Sequence, residues 1–136
     1  MDAFDADVLI YAGIEDHPLG RRVAALFPAE LPEGGRGAGV GSVLLLLELL
    51  SKPLKQGDAA AVTTLSGFLA RLDLRPVDQA TAATATVLAA KYNLRLADAI
   101  HLATAIGMGA HRFITNNSKD FGQPIKEIEV TFPADL

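Results

Sequence analysis

Glu48 lies inside the run VLLLLELL (residues 43–50), where apolar side chains take nearly every face of a helix and leave little room for a solvated carboxylate. A buried or half-buried acid is expected there. Without a partner such a group takes up a proton or finds a cation, because desolvating its charge costs several kcal/mol. Asp98 repeats the situation near the start of the apolar segment LADAIHLATAI (96–106), Asp5 sits near the end of an opening strand, and Asp120 follows a short apolar run in TNNSKDF (115–121). Each has an ordinary structural reading when taken alone. Glu48 could face solvent or an arginine, Asp98 could simply favour the helix dipole by about 0.3–1 kcal/mol, and Asp5 and Asp120 could be turn or cap residues. Taken together they point to a site, because acids at strand ends and acids on helices facing the same edge can converge. Carboxylates gathered in one place stay ionised only when a cation offsets their repulsion, so convergence would make a metal site. Cysteine is absent, and His17, His101 and His111 have no zinc-ligand spacing. Oxygen donors of this kind suit Mg²⁺, with Mn²⁺ as a substitute.

The elements that must position these acids alternate between short apolar runs and helical periods. A strand is expected from Ala3 to Asp5, continuing toward Ile10, followed by a helix opened by His17-Pro18 with Leu19, Val23, Leu26 and Phe27 on one face. Ser42 is expected to cap a helix reaching about Ser51 and stopped by Pro53. Asp58 caps another, with Val62, Leu65, Leu69 and Leu72 along one side. An extended segment at Leu74–Val77 precedes an alanine- and threonine-rich helix capped by Asp78 and reaching Tyr92, and a helix at Leu96–Ile106 ends at Gly107 or Gly109. Phe113-Ile114-Thr115 reads as a buried strand, and Ile128, Val130 and Phe132 alternate as a last one. Strands interleaved with helices predict an α/β architecture with a parallel sheet covered on both faces, where ligands sit beyond the carboxyl ends of the strands.

Composition narrows the classes. The 136 residues, half of them apolar and 21% charged, predict one domain over residues 1–136 rather than a disordered or disulfide-stapled chain. No apolar run approaches the roughly 20 residues of a membrane-spanning helix. Acids at Asp2, Asp5 and Asp7 stand where a secretory signal would carry lysine or arginine, so a cytoplasmic location is expected. The net charge of −4 comes from 16 acidic and 12 basic residues, which disfavours general nucleic-acid coating. Four acids committed to a metal would leave 12 against 12, so the excess acidity can belong to a site. The glycine-dense stretch from Glu30 to Gly41 lacks the lysine of a phosphate loop and the acid of a dinucleotide site, and reads as a flexible connection.

Four segments in order, FDADVLIYA (4–12), SVLLLLELL (42–50), LRLADAIHLATAIGMGA (94–110) and FITNNSKDF (113–121), resemble the PIN domain family, and within it the toxin ribonucleases of VapBC toxin–antitoxin pairs. The resemblance implies a three-layer α/β/α sandwich on a mainly parallel sheet and a magnesium-dependent ribonuclease. It matches Asp5, Glu48 and Asp98 to the family's first three acids, Asp120 to the acid of the last motif, and Asn117 to the polar position before it. The four acids would be catalytic and hold the metal, while Thr115 and Asn117 would position water or phosphate. Asp7 stands where the family more often has Asn, Ser or Thr, and many relatives carry an acid at Asn117; Asp7 would supply the charge that Asn117 lacks. The implied product is a 5′-phosphate, and the implied partners are RNA, an antitoxin and a second copy of the chain, the latter two drawn to apolar positions at Leu44–Leu50 and Val62–Leu72. Arg21, Arg22, Arg36, Lys52, Arg95 and Lys119 are the bases available to RNA. His101, one turn after Asp98, reads as structural, and His17 carries no assigned chemistry. Two alternatives compete: a PIN-like binding module without activity, and a phosphatase of the haloacid dehalogenase type suggested by Asp5-x-Asp7. The second fits poorly because Val8 and Leu9 follow Asp7 directly.

Overall fold

The structure is a computed structural model that describes residues 1–30 and 37–136; residues 31–36, Arg36 among them, lie outside the described residues. Five parallel strands, β1 (Asp2–Phe4), β2 (Gly39–Ser42), β3 (Leu72–Arg75), β4 (Arg112–Ile114) and β5 (Glu129–Thr131), form a sheet in the order β3-β2-β1-β4-β5. The chain therefore runs outward on one side of β1, then returns to the other side with β4. That reversal is a topological switch point between β1 and β4, and it opens toward the carboxyl ends of both strands.

Alternation along the central strands sorts the core into two layers. Phe4 and Ile114 face one side, with α1 (Ala6–Ala12), α2 (Pro18–Ala24), α3 (Leu44–Gln56) and α4 (Ala59–Ala70), and they pack against Val8, Leu9, Val23, Leu45 and Leu49. Ala3 and Phe113 face the other side, with α5 (Gln79–Tyr92), α6 (Leu96–Gly107) and α7 (Ser118–Phe121), and they pack against Leu88, Leu102 and Phe121. Right-handed crossovers require this outcome, since reversing the direction of travel across the sheet moves the connecting helices to the opposite face. The expected α/β/α sandwich is what forms. The sequence-derived caps Asp58 and Asp78 hold too, accepting from the amides of Ala61 and Thr81 at 3.1 and 2.8 Å.

Four local expectations are corrected. The opening strand stops at Phe4, because Asp5 accepts from the amide of Ala6 and starts α1, so Val8 and Leu9 are core residues of a helix. Pro53 does not stop α3, which continues to Gln56 and ends where Gly57 takes a left-handed backbone. A buried proline costs that helix one hydrogen bond and occupies space in the apolar layer. Ser42 is the last residue of β2 rather than a helix cap, although its hydroxyl still accepts from the amide of Leu44 at 3.2 Å. The connection assigned up to Gly41 ends earlier, for Gly39–Ser42 is a buried strand between β1 and β3.

Glycine at residue 39 is required by packing. A Cβ there would lie 2.2 Å from the carbonyl oxygen of Asp2 and 2.9 Å from the ring of Phe4. Backbone in a paired strand cannot retreat, so Gly39→Ala is expected to destabilise the fold by about 2–3 kcal/mol, read as a lower urea midpoint at unchanged slope. Wild-type stability in this variant would refute the tight β1–β2 approach.

Candidate active site

The switch point is closed by side chains from segments far apart in sequence. Asp5, directly after β1 and only 4% exposed, accepts from the hydroxyl of Thr115 at 2.7 Å. Thr115, directly after β4 and fully buried, in turn accepts from the amide of Asn117 at 3.1 Å. The Asn117 side-chain amide then donates to Asp98 Oδ2 and Asp120 Oδ2 at 3.3 and 3.2 Å. A continuous polar chain thus runs from Asp5 through Thr115 and Asn117 to the Asp98–Asp120 pair. Asn117 also caps α7, accepting from the amide of Asp120 at 3.2 Å, which fixes the acid relative to the strand before it. Asp7 lies on α1 and accepts from the amides of Val8 and Asn116 at 2.7 and 3.0 Å, tying α1 to the loop after β4.

Glu48 departs from expectation. VLLLLELL does not surround it with apolar side chains, because Leu46 and Leu47 face outward, and a third of the Glu48 side chain (33%) is exposed. Its carboxylate pairs with Nε2 of His101, which is almost completely buried. Nδ1 of the same ring is buried without a hydrogen-bond partner. His101 therefore both packs within α6 and holds Glu48, a role that its place one turn after Asp98 could have signalled. Arg95 adds a second cation, its Nε lying 3.2 Å from Asp120 Oδ2 and 4.0 Å from Asp98 Oδ2. Among the other expected RNA-facing bases, Arg21 pairs with Asp16 and Arg22 donates to the carbonyl of Ala134.

Like charge and burial perturb these groups strongly. Asp5 is raised above its ordinary value, chiefly by burial and further by the charge of Glu48, while His101, Thr115 and the Ala6 amide pull it down. Asp7 is pushed up to about 7 by burial and by the charge of Asp5. Asp98 also reaches about 7, through burial, a hydrogen bond shared with Asp120, and the charges of Asp5 and Asp120. Asp120 is lowered by accepting that bond and by Arg95 and Asn117, so of the two Asp98 keeps its proton to higher pH. Burial opposes the charged form of His101, but the bond to Glu48 and the charges of Asp5, Glu48 and Asp98 outweigh it and raise its pKa.

The arrangement is crowded without being a finished coordination sphere. Among the described residues, no three His, Cys, Asp or Glu side chains stand where they could hold one ion together. Asp5, Asp98 and Asp120 are linked through Thr115 and Asn117, while Glu48 is held separately by His101. Their donor chemistry, carboxylate oxygen with the one imidazole already bound to Glu48, fits a hard divalent cation. A cavity of about 830 Å³ lies elsewhere, bordered by Met1, Gly39, Arg75 and His111, and holds none of these acids.

The perturbed acids fix a pH dependence for the cation-free protein. Asp7 and Asp98 keep a proton up to about pH 7 when folded but lose it near 3.8 when unfolded, so the folded state binds more protons in that window. Their stabilisation is complete below the unfolded value and lost as pH rises through 7. His101, also raised, acts in the same direction, while Asp78, Asp120 and Glu127, all lowered, oppose it only at low pH. In the presence of a chelator, the melting temperature is expected to be several degrees higher at pH 5.5 than at pH 8. A flat profile would show that the acids do not crowd each other.

A protein-family model, described as the PIN domain, matches residues 3–124. No curated protein matches the chain in sequence. Among solved structures, a toxin–antitoxin complex from Klebsiella pneumoniae aligns over 100% of both chains with a TM-score of 0.77 and 23% identity. VapBC from Salmonella typhimurium bound to DNA covers 97% of each chain with a TM-score of 0.72 and 18% identity. VapBC2 from Rickettsia felis, bound to a DNA fragment from its promoter, covers 96% of this chain and 97% of its own with a TM-score of 0.70 and 19% identity.

Proposed function

The chain belongs to the PIN domain family, and on that premise we propose that it is a divalent-cation-dependent ribonuclease of the VapC toxin type, working as one domain. The observation that carries the reading is the polar chain from Asp5 through Thr115 and Asn117 to Asp98 and Asp120, placed at the switch point of the sheet. Burial and mutual repulsion hold Asp5 and Asp98 above their ordinary values, a strain that a bound cation would relieve. The haloacid dehalogenase-type reading loses its motif, because the Asp7 carboxylate is turned to the amide of Asn116.

Asp5, Asp98 and Asp120 would hold Mg²⁺ or Mn²⁺, with Glu48 completing the set. When bound, the cation offsets the charge of the scissile phosphate and lowers the pKa of a coordinated water. Thr115 keeps the Asp5 carboxylate oriented through its hydroxyl, and Asn117 keeps Asp98 and Asp120 on a common side through its amide. His101 aims Glu48, which is otherwise free to turn toward solvent on an exposed helix face. Asp7 holds the loop that carries Asn117. Their joint effect is orientation, with the cost of gathering like charges met during folding rather than at the moment of reaction.

An antitoxin and a second copy of the chain are the proposed protein partners. The toxin–antitoxin complexes of the same fold support the first. So does a groove of about 200 Å³ between α1, α3 and α4, lined by Ile10, Ile14, Leu49 and Leu65 beside Glu48. Exposed Leu47 and Leu54 on α3 extend the apolar surface available to either partner. Among the described residues no helix is long and apolar enough to cross a membrane.

The function is tested by incubating the protein with structured and single-stranded RNAs, including transfer RNA, with Mg²⁺ or Mn²⁺. Cleavage that leaves a 5′-phosphate and disappears on addition of a chelator is expected. Cleavage that continues unchanged with chelator present would overturn the cation-dependent reading. Cation binding without cleavage of any RNA would favour the inactive binding module.

A further inference from the structure

Two cationic groups touch the acids, and they differ in one physical respect. The imidazole of His101 is sealed in the core, with 1% of its side chain exposed, and cannot leave Glu48. The Arg95 side chain is 66% exposed, while the two carboxylates it faces are only 9% and 16% exposed. Its backbone is extended at the N-cap of α6 and its side chain caps nothing, so the guanidinium is not needed to start the helix. The acids are fixed, and the cation beside them stands at the edge of the solvent.

The atoms it occupies are the informative ones. Asp120 Oδ2 accepts from both Arg95 Nε and Asn117 Nδ2, and Asp98 Oδ2 lies within reach of the same two donors. An incoming divalent ion held by Asp98 and Asp120 must compete for those oxygens. Asn117 belongs to the buried framework through Thr115, but Arg95 does not. An ion pair with one solvated partner is weakly held and opens readily.

We propose that Arg95 is a self-contained counter-ion that occupies the divalent-cation position at the Asp98–Asp120 pair and is expelled when the cation binds. The inference rests on the cation-dependent reading above. It accounts for the absence of a ready three-ligand cluster among the described residues, because the side chains are arranged around an arginine rather than a metal. It also gives Arg95 a second state: once released, its guanidinium projects from the rim of the site, where a substrate phosphate would approach.

The test measures binding rather than turnover. Mn²⁺ affinity is determined by electron paramagnetic resonance for the wild type, Arg95→Gln and Lys119→Gln. The last removes an equal charge beside Asp120, from a lysine that makes no ion pair among the described residues. If Arg95 closes nine molecules in ten, Arg95→Gln should tighten Mn²⁺ binding by about tenfold, and Lys119→Gln by less than about twofold. In parallel, the Nε–H resonance of Arg95 should move toward the position of a free arginine as Mg²⁺ is added. Binding by Arg95→Gln no tighter than by Lys119→Gln, or an unmoved resonance at saturating Mg²⁺, overturns the counter-ion role and leaves the acidic centre standing. Failure of both wild type and Arg95→Gln to bind Mn²⁺ overturns the centre itself, and the counter-ion role with it.

Discussion

Asp98→Asn is expected to lower the rate of RNA cleavage by roughly 10²–10³-fold, while raising the melting temperature of the cation-free protein at pH 8 by about 3–8 °C. Both effects have one cause. Asp98 is held beside Asp5 and Asp120, and its pKa of about 7 means that ionising it at pH 8 works against the fold. An asparagine amide offers Asp120 a donor and removes the repulsion, so the metal-free molecule relaxes. The same exchange removes one carboxylate from the proposed cation-holding set, and a site that no longer offsets the charge of the phosphate would lose transition-state stabilisation. Single-turnover cleavage in Mg²⁺ and thermal melts with chelator measure the two halves. A variant both less stable and equally active would refute the assignment, since Asp98 would then be a helix-start residue with no part in the centre.

Phe113→Ala carries the largest expected effect on stability, a loss of about 3–5 kcal/mol in urea unfolding. Phe113 is fully buried in β4 and meets Phe121 edge-on, with ring centroids 5.2 Å apart. Its removal leaves a void between the sheet and α7 that a paired strand cannot close. Because Phe121 follows Asp120 directly, the void also loosens the anchor of that acid, so Mn²⁺ affinity should fall with stability. Leu47→Ala serves as the contrast: 66% exposed on α3, it should change stability by no more than about 0.5 kcal/mol. Equal losses from the two substitutions would contradict the layer assignment.

The parts of this molecule legible in the sequence are those where side-chain chemistry and local periodicity agree. Asp58 and Asp78 announce α4 and α5 as caps, and Phe113-Ile114 announces β4, because local signals there point the same way as the tertiary structure. β2 was illegible for a physical reason. Its GVGS sequence has almost no strand character of its own, and its conformation is imposed by β1 and β3 on either side. Asp5 was found as an acid at a strand end, but not as the residue that converts strand to helix, because the apolar run VLI satisfies either period. Glu48 was singled out by burial that its helix does not provide, and what holds it is His101, distant in sequence and read from its own neighbourhood as a packing residue. Spacing within one segment shows which acids are unusual. It cannot show which of them share a proton, nor that Arg95 stands against Asp120.

The hydrogen bond between Thr115 and Asp5 joins residues 110 positions apart, and β4, which delivers Thr115, is a central strand of the sheet. During synthesis, residues 1–111 can emerge from the ribosome with no means of assembling the acidic centre. Loop closure over such a distance comes late, and every chain ending before β4 lacks both Asn117 and Asp120. A chain that stops short of β4 therefore carries Asp5 and Asp98 without the threonine and asparagine that orient them.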